Sequence, residues 1–298
     1  MTAEVGAMTA TGVAALVAGL VWVGPRFRAA SGAGRLLVLG PLCDAIALAV
    51  FAAEHFTDAH GMAPMVPGWL PAHLFWIYFF GAALLAAAIS FIIWRSVRWA
   101  AAGLALFFLL VVATMDVPGI PSSFHERFFW ILTFRETCFA SGAIVLWGSV
   151  WPRGGRAGAA LVKVGRSIVA AVMIFYAVEH FLFPHQVPGV PLEKVIPAWM
   201  PAPVLMDWVV GLALLLGGIG LFFRPRIAAA GAGGVILLVT VFFYLPMCVL
   251  EFHTAPVEGL NYLFDTLLFA GTVLLAGLGT ETEESVGPSL PRKTHAGV

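Results

Sequence analysis

Two hexapeptides carry the first chemistry of the chain: "FAAEHF" at residues 51–56 and "YAVEHF" at residues 176–181. Each closes a long apolar run with a glutamate and a histidine. Neutral imidazole ligates Zn, Cu, Fe or haem iron, and an adjacent carboxylate can ligate as well or orient the ring. Two more histidines recur as a matched "FH" pair at 124–125 and 252–253. His55, His180, His125 and His253 are therefore the candidate ligands of a transition metal or haem, with Glu54 and Glu179 as candidate acid–base groups. Neighbours on an α-helix point about 100° apart, so Glu54 and His55 aim at one point only if the helix unwinds there. The residues leave three readings open: a metal or haem site, proton or substrate handling without a metal, and interfacial side chains that hydrogen-bond an irregular loop.

A second set consists of carboxylates inside apolar runs. Glu136 and Asp265 fall at matched positions, six residues before Gly142 and Gly271, and Arg135 adjoins Glu136. Asp44 and Asp207 lie in further apolar runs. A lone charge at membrane depth is costly, so such residues face a bundle interior, pair with one another or mark a site. The functional reading gives Glu136, Asp265 and Arg135 catalytic acid–base or electrostatic roles; the bland one is an Arg127/Arg135–carboxylate network that locks helices together. Asp44 and His55 are eleven residues apart, close to three turns, which puts them on one helix face. Lys194 has Glu193 or Asp207 as its expected partner.

The elements that must hold these groups follow from composition. Of the 298 residues, 61% are hydrophobic and 11% charged, and the mean hydropathy is +0.96. Soluble domains carry roughly a quarter charged residues, whereas runs of about 20 apolar residues span a bilayer. An all-α polytopic membrane protein is predicted, with about nine transmembrane helices near 6–24, 36–55, 74–94, 100–117, 128–150, 165–183, 203–223, 227–246 and 259–279. Thirteen of the sixteen Lys and Arg fall in alternate loops and the C-terminal tail. The positive-inside rule makes that side cytoplasmic, which puts the N-terminus outside and the C-terminus inside an inner (cell) membrane. Seven of the eight histidines then belong to the outer face.

Zero formal net charge offers nothing to nucleic acid. Cys43, Cys138 and Cys248 form no CxxC motif and read as buried apolar residues.

A shift of 125 to 130 residues superposes the halves beyond the hexapeptides. "VPGWLPAHLFWIYFFGAALL" (66–85) aligns with "IPAWMPAPVLMDWVVGLALL" (196–215), "RWAAAG" (98–103) with "RIAAAG" (226–231), and Pro118 with Pro246. The predicted organisation is an N-terminal helix and basic loop (1–35), a first four-helix repeat (36–155), a second (156–280) and a disordered polar tail (281–298). An even number of spans per unit makes the copies parallel. Trp69 and Trp199, in the Pro-Trp-Pro loops, are candidate cofactor-binding residues of an outer lid; interfacial anchoring by their indoles is the plainer alternative.

The unit resembles the DoxX-like membrane family over about residues 36–279, through Glu-His at the end of its first helix, the "VPGWLP" and "IPAWMP" loops and the following G-x-A-L-L. The resemblance implies a four-helix bundle unit and a link to membrane redox complexes. The expected function is an integral membrane oxidoreductase, or a subunit of a redox complex with partner proteins, whose outer-half His/Glu site acts on a quinone or small substrate. The alternatives are a proton-coupled transporter and a non-catalytic scaffold that docks a partner protein.

Overall fold

The computed structural model describes residues 2–152 and 155–279. Arg153, the tail from 281 and its Arg292, Lys293 and His295 lie outside them. Among the described residues the fold is all-helical, and its one β contact is an isolated bridge between Gln186 and Val195. Eight helices are long and apolar enough to cross a membrane: α1 (Ala3–Ala29), α2 (Ala33–Thr57), α3 (His73–Ile93), α4 (Val97–Ser123), α5 (Arg127–Ser149), α6 (Arg156–Leu182), α7 (Pro203–Gly220) and α8 (Pro225–Leu250). A ninth long helix, α9 (Pro256–Leu275), is continuous but carries Glu258, Asn261 and Asp265 in its apolar run. Helices α1, α2, α4, α6 and α8 run beyond the predicted spans, because helix continues into polar ends that a hydropathy pattern leaves out, whereas α3 and α5 match them within a residue and α7 and α9 stop three to four residues short.

The helices α2 to α9 pack in chain order around a ring, which α9 closes on α2, while α5 and α9 also touch across it. Helix α1 lies outside this ring, against α2. Glycine sets the closest approaches. A methyl group on Gly148 would meet Gly158 O at 2.7 Å, and one on Gly271 would meet Gly40 O at 2.9 Å, so the α5–α6 and α9–α2 seams both bring backbone against backbone.

Helices α4 and α8 share a local departure from α geometry. Each widens into a π turn, at Val112–Asp116 and Thr240–Tyr244, just before Pro118 and Pro246. A proline inside a helix has no N–H to donate and its ring crowds the carbonyl four residues back, so the wider turn relieves both faults. Ala72 and Ala202, immediately before α3 and α7, both adopt the left-handed conformation.

The two ends of the ring differ. At one end Arg26 lies over Trp94 at 4.6 Å, Arg98 lies over Trp151 at 4.2 Å, and Arg166 donates to Ala276 O and Leu278 O at 2.9 and 2.6 Å. The other end carries both Glu–His motifs and two unequal loops. The α2–α3 loop (58–72) contains a short helix, Ala59–Met62, and a 3-10 turn, Ala63–Met65. The α6–α7 loop (183–202) is five residues longer and has no helix.

Candidate functional site

The longer loop turns inward. Residues 187–192, "VPGVPL", are all buried. Tyr244 Oη donates to Pro188 O at 2.7 Å, Gly189 N–H donates to His180 Nε2 at 3.2 Å, and Arg127 Nη2 donates to Pro191 O at 3.0 Å. Gly189 has φ +99°, a conformation that favours glycine. This segment plugs the space enclosed by α6 to α9, and it absorbs the second Glu–His pair into its supports. His180 is fully buried, and because its Nε2 accepts from Gly189 the ring proton sits on Nδ1, 2.7 Å from Asp207 Oδ1 in an off-axis approach. Glu179 pairs with Arg127 at 2.5 Å.

The corresponding space in the first half is open. A cavity of about 550 Å³ lies among α2 to α5 and α9, with Leu192 of the plug on its wall. Glu54 and His55 both line it, although they do not converge. Glu54 Oε1 accepts from Asn261 Nδ2 at 2.8 Å, and His55 Nδ1 lies 2.7 Å from Phe51 O of its own helix. Since a carbonyl only accepts, His55 carries a proton on Nδ1 and, when neutral, leaves Nε2 as an acceptor. Phe51, Phe107, Phe108, Phe139 and Tyr262 supply aromatic wall.

At the floor of this cavity the matched carboxylates meet. Arg135 donates from Nε and Nη2 to Glu136 Oε1 at 3.2 and 2.7 Å, and its Nη1 lies 3.4 Å from Asp265 Oδ1. One guanidinium thus bridges α5 and α9 where they touch across the ring. Asp116, in the π turn of α4, lies within electrostatic reach of both Arg135 and Glu136. Asp44, one turn of α2 beyond the cavity-lining Leu48, is buried against Gly271, and its Oδ1 has no hydrogen-bond partner.

The structure therefore brings Glu54, His55, Arg135, Glu136 and Asp265 to one cavity and separates Glu179 and His180 from them. His125 and His253 are exposed, each edge-on to the preceding Phe ring. Among the described residues no three of His, Cys, Asp and Glu gather as a metal-holding group, so the four duplicated histidines do not form a common ligand set. Trp69 is 70% exposed, and Trp199 stacks on Phe243 at 5.7 Å; neither lines the cavity. Lys194 bonds neither Glu193 nor Asp207 but bridges Glu251 and Glu258 at 3.0 and 2.9 Å. Sequence reasoning missed Asn261 and Asp116. Both had a signal, since Asn261 precedes Asp265 by four residues on one helix face, and Asp116 interrupts an apolar run just before Pro118.

Residues 45–122 match a family described as a domain of unknown function, DUF8561. That stretch holds Glu54, His55 and Asp116 and ends before the groups on α5 and α9. No curated protein and no solved structure matches the chain.

Proposed function

We propose that the protein is an integral membrane redox subunit that binds a lipophilic, quinone-class molecule in the α2–α5/α9 cavity and handles protons beside it. The observation that carries this reading is the cavity itself: an aromatic enclosure within the apolar bundle, floored by the Arg135–Glu136–Asp265 cluster and rimmed by Glu54 and His55. A ring-shaped lipophile fits the walls, and the ionisable groups are of the kind that deliver or accept protons.

The wider architecture belongs to the same proposal. All nine long helices span the membrane, with the arginine-bearing end cytoplasmic and the Glu–His end outside. The helices α2–α5 and α6–α9 are parallel copies of a DoxX-like unit. This is supported by the paired π turns, the paired left-handed alanines and the equivalence of the α5–α6 and α9–α2 seams. One copy keeps its cavity and the other is plugged by residues 187–192.

The test is binding of a decyl-substituted benzoquinone, in both redox states, to the full chain in mild detergent. Saturable one-to-one binding is expected, with a loss of at least tenfold in Val257→Trp, which fills the cavity from α9. A protein that binds neither redox state overturns the reading.

Asp44 favours a second reading, a proton-coupled carrier, because a buried carboxyl whose Oδ1 has no hydrogen-bond partner, one turn of helix beyond the cavity, is placed to receive a proton from it. Proton-driven solute flux in liposomes, abolished by Asp44→Asn, would establish that alternative.

A further inference from the structure

The hydrogen-bonding inventory of the cavity is lopsided. Donors are few: Arg135 directs its nitrogens to Glu136 and Asp265, which leaves the Tyr262 hydroxyl on the wall as the side-chain donor against several acceptors. Acceptors are in surplus. Asn261 turns its N–H to Glu54, which leaves the amide oxygen facing away from that partner. This oxygen, Asp265 Oδ2 and the neighbouring Asp116 Oδ2 are shielded and accept no hydrogen bond among the described residues. His55 adds Nε2, because its Nδ1 proton is held by Phe51 O. Asn261 and Asp265 are four residues apart on α9, so their acceptors stand one above the other on one face. Buried acceptors that lack donors are costly, and native structures supply the donor from a ligand or from water.

A quinone presents only carbonyl oxygens, which would meet these acceptors lone pair to lone pair. The reduced form presents two hydroxyl groups. We infer that the cavity is a quinol site: it holds the reduced, hydroxyl-donating form of its ligand in preference to the oxidised form, with Asn261 Oδ1 and Asp265 Oδ2 as the accepting pair. The inference rests on the quinone-class reading above and deepens it. Preferential binding of the reduced form also raises the midpoint potential of the bound couple, by about 30 mV for each tenfold difference in affinity of a two-electron couple.

The test uses four probes on the full chain in mild detergent: decylbenzoquinol, decylbenzoquinone, the dimethyl ether of the quinol and decylamine. The ether keeps ring and tail but cannot donate. The quinol is expected to bind at least tenfold more tightly than the quinone or the ether. Asn261→Leu should bring quinol affinity down to that of the quinone. Asp265→Asn, which replaces an acceptor by a donor, should narrow the ratio by strengthening quinone binding, and it provides the test if Asn261→Leu does not fold. Equal binding of quinol, quinone and ether overturns the donor argument and leaves the quinone-class reading standing, with the acceptors served by water. Binding of none of the three ring probes overturns the reading itself, and tight binding of decylamine alone replaces it with a cationic ligand.

Discussion

His180 Nδ1 stands 2.7 Å from Asp207 Oδ1 with both side chains fully buried, whereas His55, its counterpart in the earlier hexapeptide, gives Nδ1 to Phe51 O of its own helix. The cause lies in the partner helix. Asp207 aligns in sequence with Ile77, which is buried and apolar, so His180 has a carboxylate of the neighbouring helix beside it where His55 has none. The same Glu–His motif is thereby a fixed support at 179–180 and a cavity-lining pair at 54–55. Removing one partner of this buried pair leaves the other unsatisfied, at about 2–3 kcal/mol. His180→Ala and Asp207→Ala are each expected to lose that much in denaturant unfolding in detergent, and His180→Leu/Asp207→Ile together to recover most of it. His55→Ala, which removes a half-buried ring bonded only to its own helix, should cost about 1 kcal/mol. Equal losses for His55→Ala and His180→Ala would refute the division of roles.

Gly81 and Gly211 make the same division testable through packing. A methyl group on Gly81 would lie 2.8 Å from His55 Cβ, and one on Gly211 would lie 2.9 Å from His180 Cβ. Both substitutions overpack a helix crossing, at about 1–3 kcal/mol. They differ in what they displace. Gly81→Ala pushes against a cavity-lining histidine and should weaken quinol binding several-fold, while Gly211→Ala should destabilise the fold and leave the affinity of the folded fraction unchanged. Ligand titration combined with unfolding curves separates the two effects.

The plug makes a third prediction. Gly189 holds φ +99°, and a methyl group there would find ordinary contacts, at 3.5 Å from Thr266 Cγ2. The cost of Gly189→Ala is therefore conformational, about 1–3 kcal/mol. Tyr244→Phe leaves Pro188 O buried without its donor, a further loss of about 1–3 kcal/mol. Unfolding curves of both variants check the magnitudes, and no loss in either would mean that residues 187–192 are not held as a plug.

Much of this was legible in the sequence, and the remainder was hidden for identifiable reasons. Long apolar runs located the long helices, and matched positions brought Glu136 and Asp265 into register, although nothing in the sequence said that Arg135 would bridge them. The Pro-rich loop read as an outer cap. Its burial depends on space that α6 to α9 leave open near His180 and Thr266, which no local pattern encodes. The divergence of the two Glu–His pairs was equally hidden, because it is decided by Asp207 against Ile77 on a neighbouring helix. The partners of Lys194 escaped for the same reason: Glu251 and Glu258 are distant in sequence and become neighbours only when the plug folds inward.

Lys194 gives the pH dependence. Burial alone would lower the pKa of its ammonium, but hydrogen bonds and charge from Glu258 and Glu251 outweigh burial and raise it above the ordinary lysine value. A raised folded-state pKa means that the stabilisation is complete below the unfolded value of about 10.4 and fades as pH climbs through the folded value. Lys194→Met should therefore lower stability by a constant amount, about 1 kcal/mol for a partly exposed pair, between about pH 6 and pH 9. The gap between wild type and variant should begin to close at about pH 10.4, where the lysine of the unfolded chain loses its proton, and vanish once pH passes the higher folded value. Unfolding of both proteins across that range provides the measurement, and differencing them cancels every other group that titrates in alkali. A gap that widened with pH would mean that the lysine is held neutral in the fold, with its two carboxylates bound some other way.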